Sequence, residues 1–193
     1  MHSNNQKCIA MKQFSWIFVV ATLFFVSCDQ SSKNRDSERV SALQETNASE
    51  VSASQEQYID LALPGPGGNV VKVSDYVSQN MLTLIDFWAS WCGPCRAEMP
   101  YVVRTYQAFH DKGFEIVGVS FDNNREAWLA AISQLQMAWP QMSDLRGWES
   151  EGARVYHVQA IPSNVLIDRQ GYIVARDLRG DELYEFVMSA LQK

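Results

Sequence analysis

The sequence is poor in the residues that mark several function classes. Only four of its 193 residues are cysteine, too few to staple a chain of this length as a disulfide scaffold. It has no basic cluster, and its 16 lysines and arginines are outnumbered by 22 acids, for a formal net charge of −6. That balance speaks against a general nucleic-acid binder. The uncharged run from Phe14 to Val26 is 13 residues long. As a helix it would rise roughly 20 Å, short of the ~30 Å hydrocarbon core of a bilayer. No internal repeat is found, and the stretch from Asp29 to Gln57 contains no aromatic residue, no glycine and no proline. The chain as a whole is 47% hydrophobic and 20% charged, a globular composition of a length that suits one domain with tails.

The apolar run is preceded by Lys7 and Lys12 and followed by Ser27 and Cys28. A basic start, a short apolar stretch and a small-residue boundary form the pattern of an export signal over residues 1–27, with Met1 or Met11 as its start. A short uncut anchor is the alternative. Val26-Ser27-Cys28 resembles the lipobox of bacterial lipoproteins, with Phe25 in place of the usual leucine. The resemblance implies lipidation of Cys28 and a membrane-anchored protein in the bacterial cell envelope, facing the periplasm. Residues 28–57 then read as the lipidated cysteine and a flexible tether, because serine, glutamate, glutamine and asparagine cannot bury enough apolar surface to order the chain. With Cys8 removed and Cys28 acylated, Cys92 and Cys95 are the remaining pair.

Residues 58–193 read as one domain. Tyr58 to Leu63 and Asn69 to Val73 flank the turn Pro64-Gly65-Pro66-Gly67-Gly68, as a hairpin would. Met81 to Trp88 and Phe114 to Phe121 are nearly continuous apolar runs, the pattern of buried central strands. Pro94 to Phe109, Asn124 to Gln136 and Asp181 to Leu191 carry helical spacing, and Trp148 to Tyr156 suggests a further short helix. Asn164 to Asp168 and Tyr172 to Arg176 read as strands joined by Arg169-Gln170-Gly171. The order predicts an α/β fold.

The chemistry concentrates in Asp86-Phe87-Trp88-Ala89-Ser90-Trp91-Cys92-Gly93-Pro94-Cys95. Two cysteines separated by two residues, where a strand passes into a helix, can close a disulfide reversibly. Amide groups and the dipole at the helix start stabilise a thiolate at Cys92. Cys95 sits one turn on, placed to attack a mixed disulfide formed at Cys92. Pro94 suits the first helical turn, where its missing N–H costs nothing.

WCGPC resembles the thioredoxin active site, and FWASWCGPCRAEMP resembles the TlpA/ResA branch of membrane-tethered, extracytoplasmic thioredoxin-like proteins. The resemblance covers residues 58–193. It implies a thioredoxin-like fold, with a central mixed sheet flanked by helices, an N-terminal hairpin extension and a helix and loop insertion. Asp86 matches the buried aspartate of thioredoxins, where burial raises the carboxyl pKa and lets it exchange a proton with the second cysteine; the alternative is a strand-end carboxylate facing water. Thioredoxin's lysine near that aspartate has no counterpart on Phe114 to Phe121. Glu98 matches a ResA glutamate close to the cysteines and either tunes them or is a solvated helix residue. Pro100 matches the helix-bending proline. Ile161-Pro162 matches the cis-proline that faces the cysteines, with Ser163 where threonine is usual. Clients are implied to contact Trp91, Gly93, Pro94, Ile161 and Pro162. Trp139 and Trp148, in the insertion, either frame a substrate groove or pack.

The implied activity is thiol-disulfide exchange with no cofactor, on disulfide-bearing client proteins such as apocytochrome c, with a membrane thiol reductase as electron donor. Gly-Pro between the cysteines points to the reducing end of the family. Disulfide oxidase or isomerase activity is the alternative, and a thiol peroxidase is a weaker one, since no proline-threonine stretch precedes Cys92. A zinc site would need about two ligands more than the cysteine pair, and neither His110 nor His157 lies in the motif.

Overall fold

The computed structural model describes residues 56–192. The expected export segment 1–27, Cys28 and all but the last two residues of the expected tether lie outside them. Glu56 and Gln57, which the sequence reading assigns to the tether, pair with the sheet. Gln57 bridges Tyr172, and Ile173 N donates to the Glu56 carbonyl at 2.8 Å.

The core is a five-stranded sheet of order β5-β4-β3-β6-β7, made of β3 (Leu82–Trp88), β4 (Phe114–Ser120), β5 (Gln141–Met142), β6 (Ser163–Asp168) and β7 (Ile173–Arg176). The β3–β4 and β4–β5 pairs are parallel, while β3–β6 and β6–β7 are antiparallel. The mixed thioredoxin-like sheet expected from the sequence is therefore present. Every residue of β3 and β4 is buried, which is why these strands read as apolar runs without alternation. A separate hairpin pairs β1 (Ala62–Pro64) with β2 (Val70–Lys72). β2 is shorter than the expected Asn69 to Val73 because Val73 already opens α1 (Val73–Val77), and β1 runs Ala62–Pro64 where Tyr58 to Leu63 was expected. Ser143 N donates to the Pro64 carbonyl and Tyr156 Oη to that of Ile59, docking the hairpin segment on the domain.

Four more helices follow: α2 (Gly93–Phe109), α3 (Arg125–Gln134), α4 (Glu151–Val155) and α5 (Gly180–Ala190). The buried face of α2 includes Met99, Val102, Thr105, Tyr106 and Phe109; the helical spacing of the sequence marks Met99, Val102, Val103, Tyr106 and Phe109, of which Val103 is half-buried at the margin. Pro100 lies inside this helix, on its exposed side. After a single 3-10 turn, Gly113 adopts φ 93°, a left-handed conformation open to glycine, and leads into β4. Asn124 caps α3 by accepting from Ala127 N at 2.9 Å. Helices α2 and α5 pack together, with the Phe109 and Tyr184 rings 4.9 Å apart.

Gly118 is the Cα partner of Asp86 in β3 and of Gln141 in β5. A Cβ there would lie 2.2 Å from Gln141 Oε1, the atom that accepts from Trp88 Nε1 at 3.1 Å. Gly118→Ala should therefore displace Gln141, break that buried bond and cost about 1–3 kcal/mol. Denaturant unfolding measures the loss. Adding Gln141→Ala should recover part of it, as expected for two groups competing for one space.

Candidate active site

The C-terminal ends of β3 and β4 lie side by side, with Trp88 paired to Ser120, and the cysteine motif leaves the sheet there. Ligand and reaction sites gather at such strand ends in α/β sheets. Cys92 is the N-cap of α2, and its sulfur accepts from Cys95 N at 3.1 Å. The two cysteines are joined as a disulfide, S–S 2.06 Å and Cα–Cα 5.3 Å. Both are buried, Cys92 at 4% exposure and Cys95 at 1%, whereas Trp91, Gly93 and Pro94 around them are exposed.

The Ile161–Pro162 bond is cis, as the resemblance implies. The Ile161 carbonyl oxygen lies 3.8 Å from Cys92 Sγ, so this segment stands directly against the cysteine pair. The Arg179 guanidinium donates to the Pro162 carbonyl and, at 2.8 Å, to that of Leu178. Asn164, buried in β6, brackets Leu178: its Nδ2 donates to the Leu178 carbonyl and its Oδ1 accepts from Leu178 N. This pair of bonds holds the loop that carries Arg179 against the strand that follows Pro162.

Asp86 is 4% exposed, and its Oδ2 has no hydrogen-bond partner among the described residues. Burial pushes its carboxyl up to about 7, the positive charge of Arg179 pulls it down, and the negative charge of Glu98 adds to the rise. It is therefore not the water-facing carboxylate of the alternative reading. Its β4 partner is Gly118, so no cation reaches it from that position. The cation that acts on it comes instead from the loop before α5.

Glu98 is half-buried and accepts from Gly180 N at 2.6 Å. It ties α2 to the first residue of α5, and so is neither a freely solvated side chain nor one whose bonding is to the cysteines. Trp139 is buried against Tyr106, ring centroids 5.2 Å apart, and belongs to the core rather than to a groove. Trp148 is exposed and packs 6.3 Å from Trp91. His157 is exposed, and among the described residues no three His, Cys, Asp or Glu side chains converge as a metal site.

Sequence reasoning missed three positions that shape the site: Asn164, Arg179 and Asp122. The carboxylate of Asp122, a buried residue, accepts from Ser90 N at 2.9 Å, from Ser90 Oγ at 2.5 Å and from Ser120 Oγ at 2.7 Å. It thereby pins the loop between β3 and the disulfide. The available signal was an acid just past the end of a parallel strand, next to the strand that carries the motif.

Comparison with known proteins agrees with this geometry. The family model described as Redoxin matches residues 39–185. A thiol-disulfide oxidoreductase ResA of Bacillus thuringiensis subsp. konkukian is 28% identical over 126 residues, covering 65% of this chain and 69% of that protein. Among solved structures, the thioredoxin domain of a thiol-disulfide oxidoreductase from Bacteroides vulgatus superposes with a TM-score of 0.66 at 35% identity, covering 71% of this chain and 96% of that one. A thiol-disulfide oxidoreductase from Bacteroides fragilis gives a TM-score of 0.65 at 32% identity over 69% of this chain and 98% of that one.

Proposed function

The chain belongs to the Redoxin family and is a thiol-disulfide oxidoreductase, and from that premise we propose that it reduces client disulfides through Cys92 and Cys95. The observation that carries the reading is the Cys92–Cys95 disulfide at the start of α2, facing the cis Ile161–Pro162 segment. In the reduced protein the helix start favours the Cys92 thiolate. That thiolate attacks one sulfur of a client disulfide and forms a mixed disulfide, and the other client sulfur leaves as a thiolate. Cys95 then gives its proton to the Asp86 carboxylate and attacks Cys92 Sγ. The second client thiolate is released, and the domain is left oxidised, having delivered two electrons. Asp86 returns the proton to the departing thiolate. Trp91, Gly93, Pro94, Ile161 and Pro162 form the surface on which the client chain rests, supported by their position around the sulfurs.

The rest of the reading is supported by the sequence. Residues 1–27 export the protein, Cys28 carries lipid, residues 28–55 tether the domain outside the cytoplasm, and the catalytic domain runs from Glu56, two residues earlier than expected. A membrane thiol reductase restores the dithiol, and clients include apocytochrome c. The Gly-Pro dipeptide supports a reducing potential. Equilibrating the full-length protein with defined thiol buffers should give a value close to the ~−270 mV of thioredoxin. A value near the ~−120 mV of strong oxidases would overturn the reducing direction in favour of disulfide insertion.

A further inference from the structure

The described residues include five tryptophans. Trp88, Trp128 and Trp139 are buried, whereas Trp91 is 54% and Trp148 49% exposed. The two exposed indoles face each other, ring centroids 6.3 Å apart and planes inclined by 54°. Trp91 immediately precedes Cys92 in the chain, which ties the indole pair to the cysteine motif. Trp148 also packs on Phe121, centroids 5.4 Å apart, which leaves part of its ring toward solvent.

The pairing is built into the fold. Trp91 follows Ser90, which is pinned by the Asp122 carboxylate, and Trp148 follows Gly147, whose N–H reaches the Asp122 main-chain carbonyl at 3.4 Å. One buried residue therefore holds both loops, although they are far apart in the chain. Large aromatic side chains left half in water around a reaction centre mark a surface awaiting a partner.

We propose that Trp91 and Trp148 form a subsite for a large apolar or aromatic side chain next to the reacting cysteine of a polypeptide client. The occupant follows from the place: Trp91 is the chain neighbour of Cys92, so a side chain that rests on the indole pair while Cys92 attacks belongs to the segment that carries the disulfide. An apolar surface made of two indoles in mutual contact suits an aromatic or long aliphatic side chain laid across it and offers little to glycine or serine. The protein therefore selects disulfides in exposed apolar segments, as in unfolded or extended chains. The proposal rests on the reading that Cys92 attacks the client disulfide.

The test uses the reduced full-length protein and a series of disulfide-bridged peptides of equal charge, with Gly, Ala, Leu, Phe or Trp beside the cysteine. The kcat/KM should rise along the series, by about tenfold from Gly to Phe, with the change in KM rather than in kcat. Trp148→Ala should bring the Phe-to-Gly ratio close to one, and Trp148→Phe should retain most of it. A flat series in the wild-type protein overturns the subsite and needs no variant to fold. So does a ratio that survives in Trp148→Ala. If the wild-type protein reduces none of the peptides, the exchange reading fails together with the subsite, an outcome distinct from equal reduction of all of them.

Discussion

Replacing Cys95 by serine should turn the protein from a catalyst into a trap. Cys92 still attacks, because it keeps its place as N-cap of α2, where its sulfur accepts the backbone N–H of residue 95. The mixed disulfide then has no thiol one turn away to resolve it. Client accumulates on Cys92 as a covalent adduct visible by mass spectrometry and released by dithiothreitol, while turnover stops after one equivalent. Cys92→Ser should instead remove the attacking thiolate. Turnover falls by at least about 10³-fold, in line with the loss of a nucleophile in other enzymes, and no adduct forms at residue 92. Multiple turnover by Cys95→Ser at the wild-type rate would remove the resolving role from Cys95. Adducts that persist in Cys92→Ser would assign the attack to the wrong sulfur.

Asp86→Asn should stabilise the oxidised protein at alkaline pH and leave it nearly unchanged in acid. The folded protein holds this carboxyl at about 7 against an ordinary 3.8, chiefly because burial penalises its charged form. The native state therefore binds the proton more tightly than the unfolded chain does. The stability this contributes is complete below about pH 4 and is lost as pH rises through 7. The rise from 3.8 to about 7 corresponds to roughly 4 kcal/mol, and the neutral amide escapes that loss. Denaturant unfolding at pH 9 and pH 4 measures it; an equal change at both values would mean that packing rather than ionisation is responsible. The same substitution should slow resolution by Cys95 and flatten the pH dependence of the exchange rate near 7, because no carboxylate then takes the proton.

The parts of the fold that were legible are those whose pattern is set by their own residues. Strands β3 and β4 are buried along their whole length and read as apolar runs, and α2 shows its period because one face is buried along most of its length. Strand β5 escaped because it is two residues long and exists through its pairing with Gly118 and Val119. Helix α1 escaped because five residues beginning with Val73 look like the end of the preceding strand. The cysteine pair was legible from its spacing where a strand passes into a helix, and Pro162 through the resemblance. Arg179, Asn164 and Asp122 were not, since each acts on residues distant in the chain and gains its role only when the sheet brings those segments together. Trp139 and Trp148 were indistinguishable by composition; packing sent one to the core and left the other exposed against Trp91.

Arg179 joins two features of the site in one guanidinium. It donates to the carbonyl of Pro162, and its charge draws the Asp86 carboxyl downward. Whatever changes the position of that guanidinium changes the proton affinity of Asp86, and, by the reciprocity of coupled equilibria, protonation of Asp86 changes how firmly the guanidinium is held. The position of the Pro162 carbonyl and ownership of one buried proton are thus linked variables. A displacement of the proline segment resets the acid–base poise of the centre beside it.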